Sequence, residues 1–195
     1  STLAALRKEI KTGNLALEVQ SAKFAHPTML QKNKLSNPSV IISIYHCKSN
    51  PQSTEDIKKG NLIVQFQTKK SKESVKPHWE EGFQYSFDGN DPMQQFYIGV
   101  ALHYDEEGSS ETHEIGEQFF SISSLLDQKL QHKHIDFRSP QERGVLARLY
   151  MRFQFVHNKN DITERLMRDV KAKLDKLNKI REKFRLGSQP RFSLN

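Results

Sequence analysis

The chain has 195 residues, enough for one domain with a proper hydrophobic core and too few for two generous ones. Its formal net charge of +7 favours an acidic partner, such as a lipid headgroup, nucleic acid or an acidic protein surface, without choosing among them. Cys47 is the single cysteine, which excludes a disulfide framework and a thiolate zinc cage, and no apolar run approaches the roughly 18 residues of a membrane-spanning helix.

Residues 1–12 read as a helical lead-in, with Arg7 and Lys8 inside an amphipathic pattern that does not resemble a signal peptide. A start without Met suggests a trimmed or renumbered beginning, and the lone cysteine makes a reducing, cytoplasmic setting the default expectation.

From residue 13 to 157 the dominant signal is strict alternation, the period of a strand with one face buried and one wet. Leu15, Leu17 and Val19 alternate with Ala16, Glu18 and Gln20 in the first strand. Further strands are expected at Ser39 to His46, Leu62 to Thr68 with Leu62, Val64 and Phe66 inward, Phe83 to Phe87, Phe96 to Tyr104, Glu117 to Ile122 and Ile135 to Phe137. In the last strand Val145, Ala147, Leu149, Met151, Phe153 and Phe155 alternate with mostly polar positions, including Arg148, Arg152 and Gln154. Turn chemistry separates these segments at Asn37-Pro38, Lys59-Gly60-Asn61, Asp88-Gly89-Asn90-Asp91-Pro92, Gly108-Ser109-Ser110 and Arg143-Gly144. Eight short strands with such punctuation predict an all-β fold, an eight-stranded antiparallel β-sandwich.

Residues 158–187 change to helical periodicity. Asp161 is the expected N-cap with Glu164 three residues on, and Leu166, Val170, Leu174, Leu177 and Phe184 form one apolar stripe ended by Gly187 and Pro190. The stripe is about 24 residues, roughly 36 Å long at 1.5 Å per residue, and suits packing on the sandwich or pairing with a partner helix. The flanking charges are of both signs, which argues against a pure membrane anchor. Residues 188–195 form a basic tail.

Three segments in this order resemble the C2 domain family, found in protein kinase C and synaptotagmin. They are "LALEVQSAK" from Leu15 followed by "SNPSVIISI", then "KPHWEEGFQYSF", and then "IGVALHYDEEGSSETHEIG". The second carries the most specific match, at Pro77, Trp79, Glu81, Phe83 and Tyr85. Because the chain opens on the strand leading into the first loop and finishes on a Gly-x-Leu-x-x-Leu strand, it resembles the circularly permuted type II topology. Trp79 and Phe83 are independently suited to plug the end of a sandwich.

The resemblance implies calcium-ligand positions at Gln31, Asn37, Asp105, Glu107 and His113. Calcium takes six to eight hard oxygen ligands, and only Asp105 and Glu107 here are carboxylates, with Lys32 and Lys34 adding positive charge nearby. High-affinity calcium binding is therefore not expected, and no cofactor is. Asp105, Glu106, Glu107, Glu111 and Glu114 crowd one loop, which reads as a solvated acidic surface or a weak ion site. The resemblance also allows Lys69, Lys70, Lys72 and Lys76, near the connection of the third and fourth strands, to bind phosphoinositides, with Lys58 and Lys59 just before them. Each lysine contributes about 1 kcal/mol near an anionic leaflet.

Enzyme motifs are absent: there is no Gly-x-Ser-x-Gly, no phosphate-cradling Gly-rich loop and no His-Glu-x-x-His. His132 and His134 are two apart on one strand face and read as exposed. The aromatics fall mainly on inward strand positions, so nucleic-acid stacking is not expected. The sequence thus predicts a non-catalytic, calcium-independent module that binds protein partners in a larger assembly, cytoskeletal or ciliary by family analogy. The alternative is a peripheral adaptor on anionic membranes.

Overall fold

A computed structural model describes residues 12–25, 35–72, 75–89, 91–106, 111–138, 144–157 and 159–187; side chains of 35, 159–166, 169 and 183–187 lie outside the description. The eight expected strands are β1 (Thr12–Phe24), β2 (Leu35–His46), β3 (Asn61–Gln67), β4 (His78–Asp88), β5 (Phe96–Glu106), β6 (Thr112–Ser121), β7 (Gln131–Arg138) and β8 (Val145–His157). They form two antiparallel four-stranded sheets, ordered β4-β1-β8-β7 and β3-β2-β5-β6.

Alternation sends one row of each strand into the space between the sheets. Leu15, Leu17 and Val19 of β1, Val40, Ile42 and Ile44 of β2, Ile98, Val100 and Leu102 of β5, and Leu149, Met151, Phe153 and Phe155 of β8 are all buried in one cluster. Burying each such side chain stabilises by about 1.5–3 kcal/mol, which is why the alternating pattern fixes the register. β1 and β8 lie side by side in the middle of one sheet, with Gly13 opposite His157. That adjacency is the geometric condition for a permuted strand order.

The strands run longer than the alternation announces because bulges interrupt it. Leu62, an expected inward residue, is instead 47 % exposed, while Ile63, Val64 and Phe66 pack on the core. The pairing slips between Ile44 and Tyr45, so that Leu62 stands opposite Tyr45 and Ile63 has no direct partner; one inserted residue turns the side chain before it to the other face. At the start of β4 the register shifts against Val19 and Ser21, and Glu80 adopts a φ of 51°. β6 begins at Thr112, earlier than Glu117, and its first three residues are exposed, so they carry no alternation to read. Ile122 leaves the strand for a 3-10 turn, Ile122–Leu125.

A short helix α1 (Thr54–Lys58), which the periodicity does not announce, sits between β2 and β3. Its N-cap Ser53 accepts a bond from the Asp56 backbone N–H, and Ile57 is its one buried residue. α2 (Lys159–Gly187) forms a unit separate from the sandwich. It carries Met167, Val170, Leu174, Leu177 and Ile180 as exposed large hydrophobics. Among the described residues no helix is long and apolar enough to cross a membrane. The lead-in before Thr12 and the tail after Gly187 lie outside the described residues, and Thr12 itself opens β1.

Candidate functional site

The ends of β1, β3, β5 and β7 and the starts of β2, β4, β6 and β8 lie at one end of the sandwich, as the antiparallel order requires. Of the five expected calcium positions, Gln31 and Glu107 lie outside the described residues. Asn37, Asp105 and His113 are at this end.

Asn37 and Pro38 stand against the single residue Tyr104 where β2 bulges against β5, between the pairs Ser36–Asp105 and Ser39–His103. Asn37 holds φ at 50°, a left-handed conformation that Asn tolerates better than most residues. Asp105 stands opposite Ser36 on one side and Thr112 on the other. Its side chain is only 16 % exposed.

The carboxylate of Asp105 is already engaged. The Lys70 ammonium donates to both of its oxygens, at 2.9 Å and 2.7 Å, and the Thr112 hydroxyl donates to Oδ1 at 3.3 Å. The Lys70 ammonium, then Thr112 and Asn37, hold the Asp105 carboxyl below the usual carboxylate range. Lys70, one of the expected lipid-facing lysines, is half exposed, and its charge is shared with Asp105.

The β3–β4 connection that carries it is tied down on both sides. Thr68 donates its N–H to Val40 O at 3.0 Å and accepts the Val40 N–H on its hydroxyl at 3.0 Å; the Ser71 N–H donates to Pro38 O at 2.9 Å. On the other side the Lys69 N–H donates to Glu81 Oε1 at 2.9 Å, and Trp79 Nε1 donates to Lys69 O at 3.0 Å. Trp79 and Phe83 do pack against the core, Phe83 stacking on Phe66 with ring centroids 5.3 Å apart. The side chains of Lys69, Lys72 and Lys76 are exposed. Lys58, expected beside the same basic region, is on α1 instead and pairs with Glu117 at 2.8 Å.

Across the acidic loop, His113 Nε2 lies 3.4 Å from Glu106 Oε2, and the Glu106 N–H donates to Glu111 O. Glu106, Glu111 and His113 bring one ligand atom each within 4.8 Å of one another. Two of the three are exposed, and exposed acidic groups gather in this way without an ion. His132 and His134 are exposed on β7. On α2, Val170, Leu174 and Leu177 of the expected stripe are exposed, whereas the side chains of Leu166 and Phe184 lie outside the described residues.

The residues that sequence reasoning missed are partners. Nothing local joins Lys70 to Asp105, 35 positions on, or Lys58 to Glu117. At the opposite end, a cleft of 880 Å³ lined by His46, Lys48, Asn50, Asp56 and Lys59 also has no signal in the sequence.

Comparison with solved structures shows the same fold at low identity. A C2 domain of plant extended synaptotagmin 1 superposes with a TM-score of 0.54 at 13 % identity, over 75 % of this chain and 96 % of that one. Human GIVD cytosolic phospholipase A2 gives 0.52 at 19 % identity over 77 % of this chain. A segment of extended synaptotagmin 2 that joins its SMP domain to a pair of C2 domains gives 0.52 at 16 % over 80 %. The match spans only 16 % and 30 % of those two longer chains. No curated relative matches the sequence. The family model for the C2 domain matches residues 13–137, most of the sandwich, and the chain therefore belongs to the C2 domain family.

Proposed function

We propose that this C2 domain is a non-catalytic, calcium-independent interaction module that serves as a scaffold in a larger assembly, with the sandwich as a rigid block and α2 as an arm. The observation that carries the reading is the apolar row on α2, where Met167, Val170, Leu174, Leu177 and Ile180 are each at least 50 % exposed. Spaced by three and four, such a row suits a partner helix, and the mixed charges around it suit a protein surface better than a uniformly anionic one. A cytoskeletal or ciliary setting rests on analogy with C2 folds that lack calcium ligands.

Calcium independence is supported by the donor set. A calcium ion needs six to eight oxygens, whereas Asp105 already receives Lys70, Thr112 and Asn37, and His113 contacts Glu106. A positive charge beside the carboxylate raises the cost of bringing in a divalent cation. These residues do not fit the ion.

A second reading has its own observation. Lys69, Lys72 and Lys76 stand exposed around one hairpin, and three lysines near an anionic leaflet contribute roughly 1 kcal/mol each. Co-sedimentation with phosphoinositide-containing vesicles, in calcium and in EGTA, at low and physiological salt, separates the readings. The scaffold reading expects no pelleting in any condition. Salt-sensitive pelleting without calcium, lost on replacing Lys69, Lys72 and Lys76 by Glu, would put the membrane adaptor first. Calcium-dependent pelleting would sink calcium independence in both.

A further inference from the structure

The charges of α2 are of both signs, but they are sorted by position. From Met167 the exposed row steps by three and four through Val170, Leu174 and Leu177, so that Met167 and Leu174 form one line and Val170 and Leu177 the other. Seven residues make two turns of a paired helix, and the line of Met167 and Leu174 arrives next at Arg181. An exposed arginine therefore takes the place where the spacing calls for an apolar side chain. The positions bordering the row between Met167 and Glu182 are Lys171, Lys173, Asn178 and Ile180, none of them acidic. Asp175 and Glu182 fall further round the helix, outside that border.

Asp175 lies four residues from both Lys171 and Lys179, a spacing at which side chains on a helix meet. The sequence offers Arg181 no such carboxylate. Leu177, Asn178, Phe184 and Arg185 stand three and four residues from it, and Glu182, next in the chain, is at a spacing that does not face it. A guanidinium cannot shed its charge, so whatever covers the row must either meet Arg181 with an anion or bury it unpaired at a high cost. In a second copy of the chain, paired in parallel and in register, Arg181 would meet Arg181. On a membrane the same residue would be turned toward the acyl chains together with Leu174 and Leu177, where a charge is expensive.

We propose that α2 pairs with an acidic helix of another protein, one that sets a carboxylate opposite Arg181 and lines its edges with acids toward Lys171 and Lys173. Charge complementarity selects this occupant, because the row and its border carry only positive charge between Met167 and Glu182. The apolar row supplies the attraction, and the single charge within it fixes the register and the choice of partner. The proposal rests on the scaffold reading and names the chemistry of its partner.

The test titrates the full chain into two fluorescently labelled synthetic peptides of about four heptads. Both carry leucines in the seam and glutamates along its edges, and they differ at one central seam position, Glu in one and Lys in the other. The wild type should bind the Glu peptide at least about tenfold more tightly, and Arg181→Glu should reverse the preference. Leu174→Asp should abolish binding of both. In sedimentation velocity the wild type alone should be monomeric.

Equal binding of the two peptides, still abolished by Leu174→Asp, overturns the acidic partner and leaves the scaffold reading standing. Binding of neither peptide overturns the proposal and removes the row on α2 as support for that reading. Self-association of the wild type that Leu174→Asp abolishes overturns the proposal in favour of a second copy. Pelleting with anionic vesicles that Leu174→Asp abolishes overturns both the proposal and the scaffold reading.

Discussion

The two ends of the sandwich share buried packing and differ in how much charge is added to it. At the end that carries the β2–β3 connection, closure is by packing: Cys47, Ile57, Met93 and Leu125 are buried, and the Cys47 N–H donates to Gln95 O at 2.8 Å. Gly60 has so little room that a Cβ would come within 2.8 Å of Cys47 Sγ and 2.9 Å of Ile57 O. At the other end Phe24, Tyr104 and Phe137 are buried too, Phe24 and Tyr104 with ring centroids 5.0 Å apart, and ion pairs are added to the packing, with Lys70 on Asp105 and His113 beside Glu106. A packed end responds to volume. An ion pair responds to salt and protons as well.

The largest effect should come from breaking the packed end. Ile57→Ala leaves a cavity under α1 and should cost about 2–3 kcal/mol in urea denaturation, with little dependence on salt. A loss that varied strongly with ionic strength would erase the distinction between the ends.

A smaller effect, also at the packed end, should appear on the pH axis. His157 is 5 % exposed; its Nε2–H donates to Leu126 O at 3.1 Å, and Nδ1 has no partner among the described residues. Burial pushes its pKa below the ordinary 6.5. The unfolded chain therefore takes up the proton first, so stability should decline as pH falls below 6.5 and level off below the depressed folded value. Asp105 works in a separate window. Its folded pKa is depressed below the ordinary 3.8, so its contribution is present above 3.8 and lost as pH falls through the lower folded value. Urea midpoints against pH should show two steps; burial pushes the His103 pKa down as well, so His157→Gln should shrink the upper step and leave the lower one in place.

The smallest effect should be the salt dependence of the charged end. The Lys70→Met penalty, at most about 1 kcal/mol for a pair with one half-exposed partner, should shrink toward zero in molar salt. A penalty unchanged by salt would mean that the stem of Lys70 contributes by packing and its charge does not.

Much of this molecule is legible along the chain. Leu15, Leu17, Val19 and the row from Val145 to Phe155 declare their buried face because side chains alternate every residue in a strand, a local rule that needs no partner. The segment around Pro77, Trp79, Glu81, Phe83 and Tyr85 carries the family resemblance, and the thin supply of carboxylates at Asn37 and His113 can be counted directly. Bulges are not legible: Leu62 turns outward because Ile44 pairs with Val64 and Tyr45 with Leu62, leaving Ile63 between them, a property of two strands together.

The sequence by itself determined the number and order of the strands, most of their inward faces, the family and the scarcity of carboxylates at the calcium positions, since each follows from residue type and near-neighbour spacing. Only the tertiary structure decided that Lys70 meets Asp105 and that Lys58 meets Glu117. Ionic attraction carries no periodicity, and partners far apart in the chain become neighbours only after hydrophobic burial has brought the strand ends together.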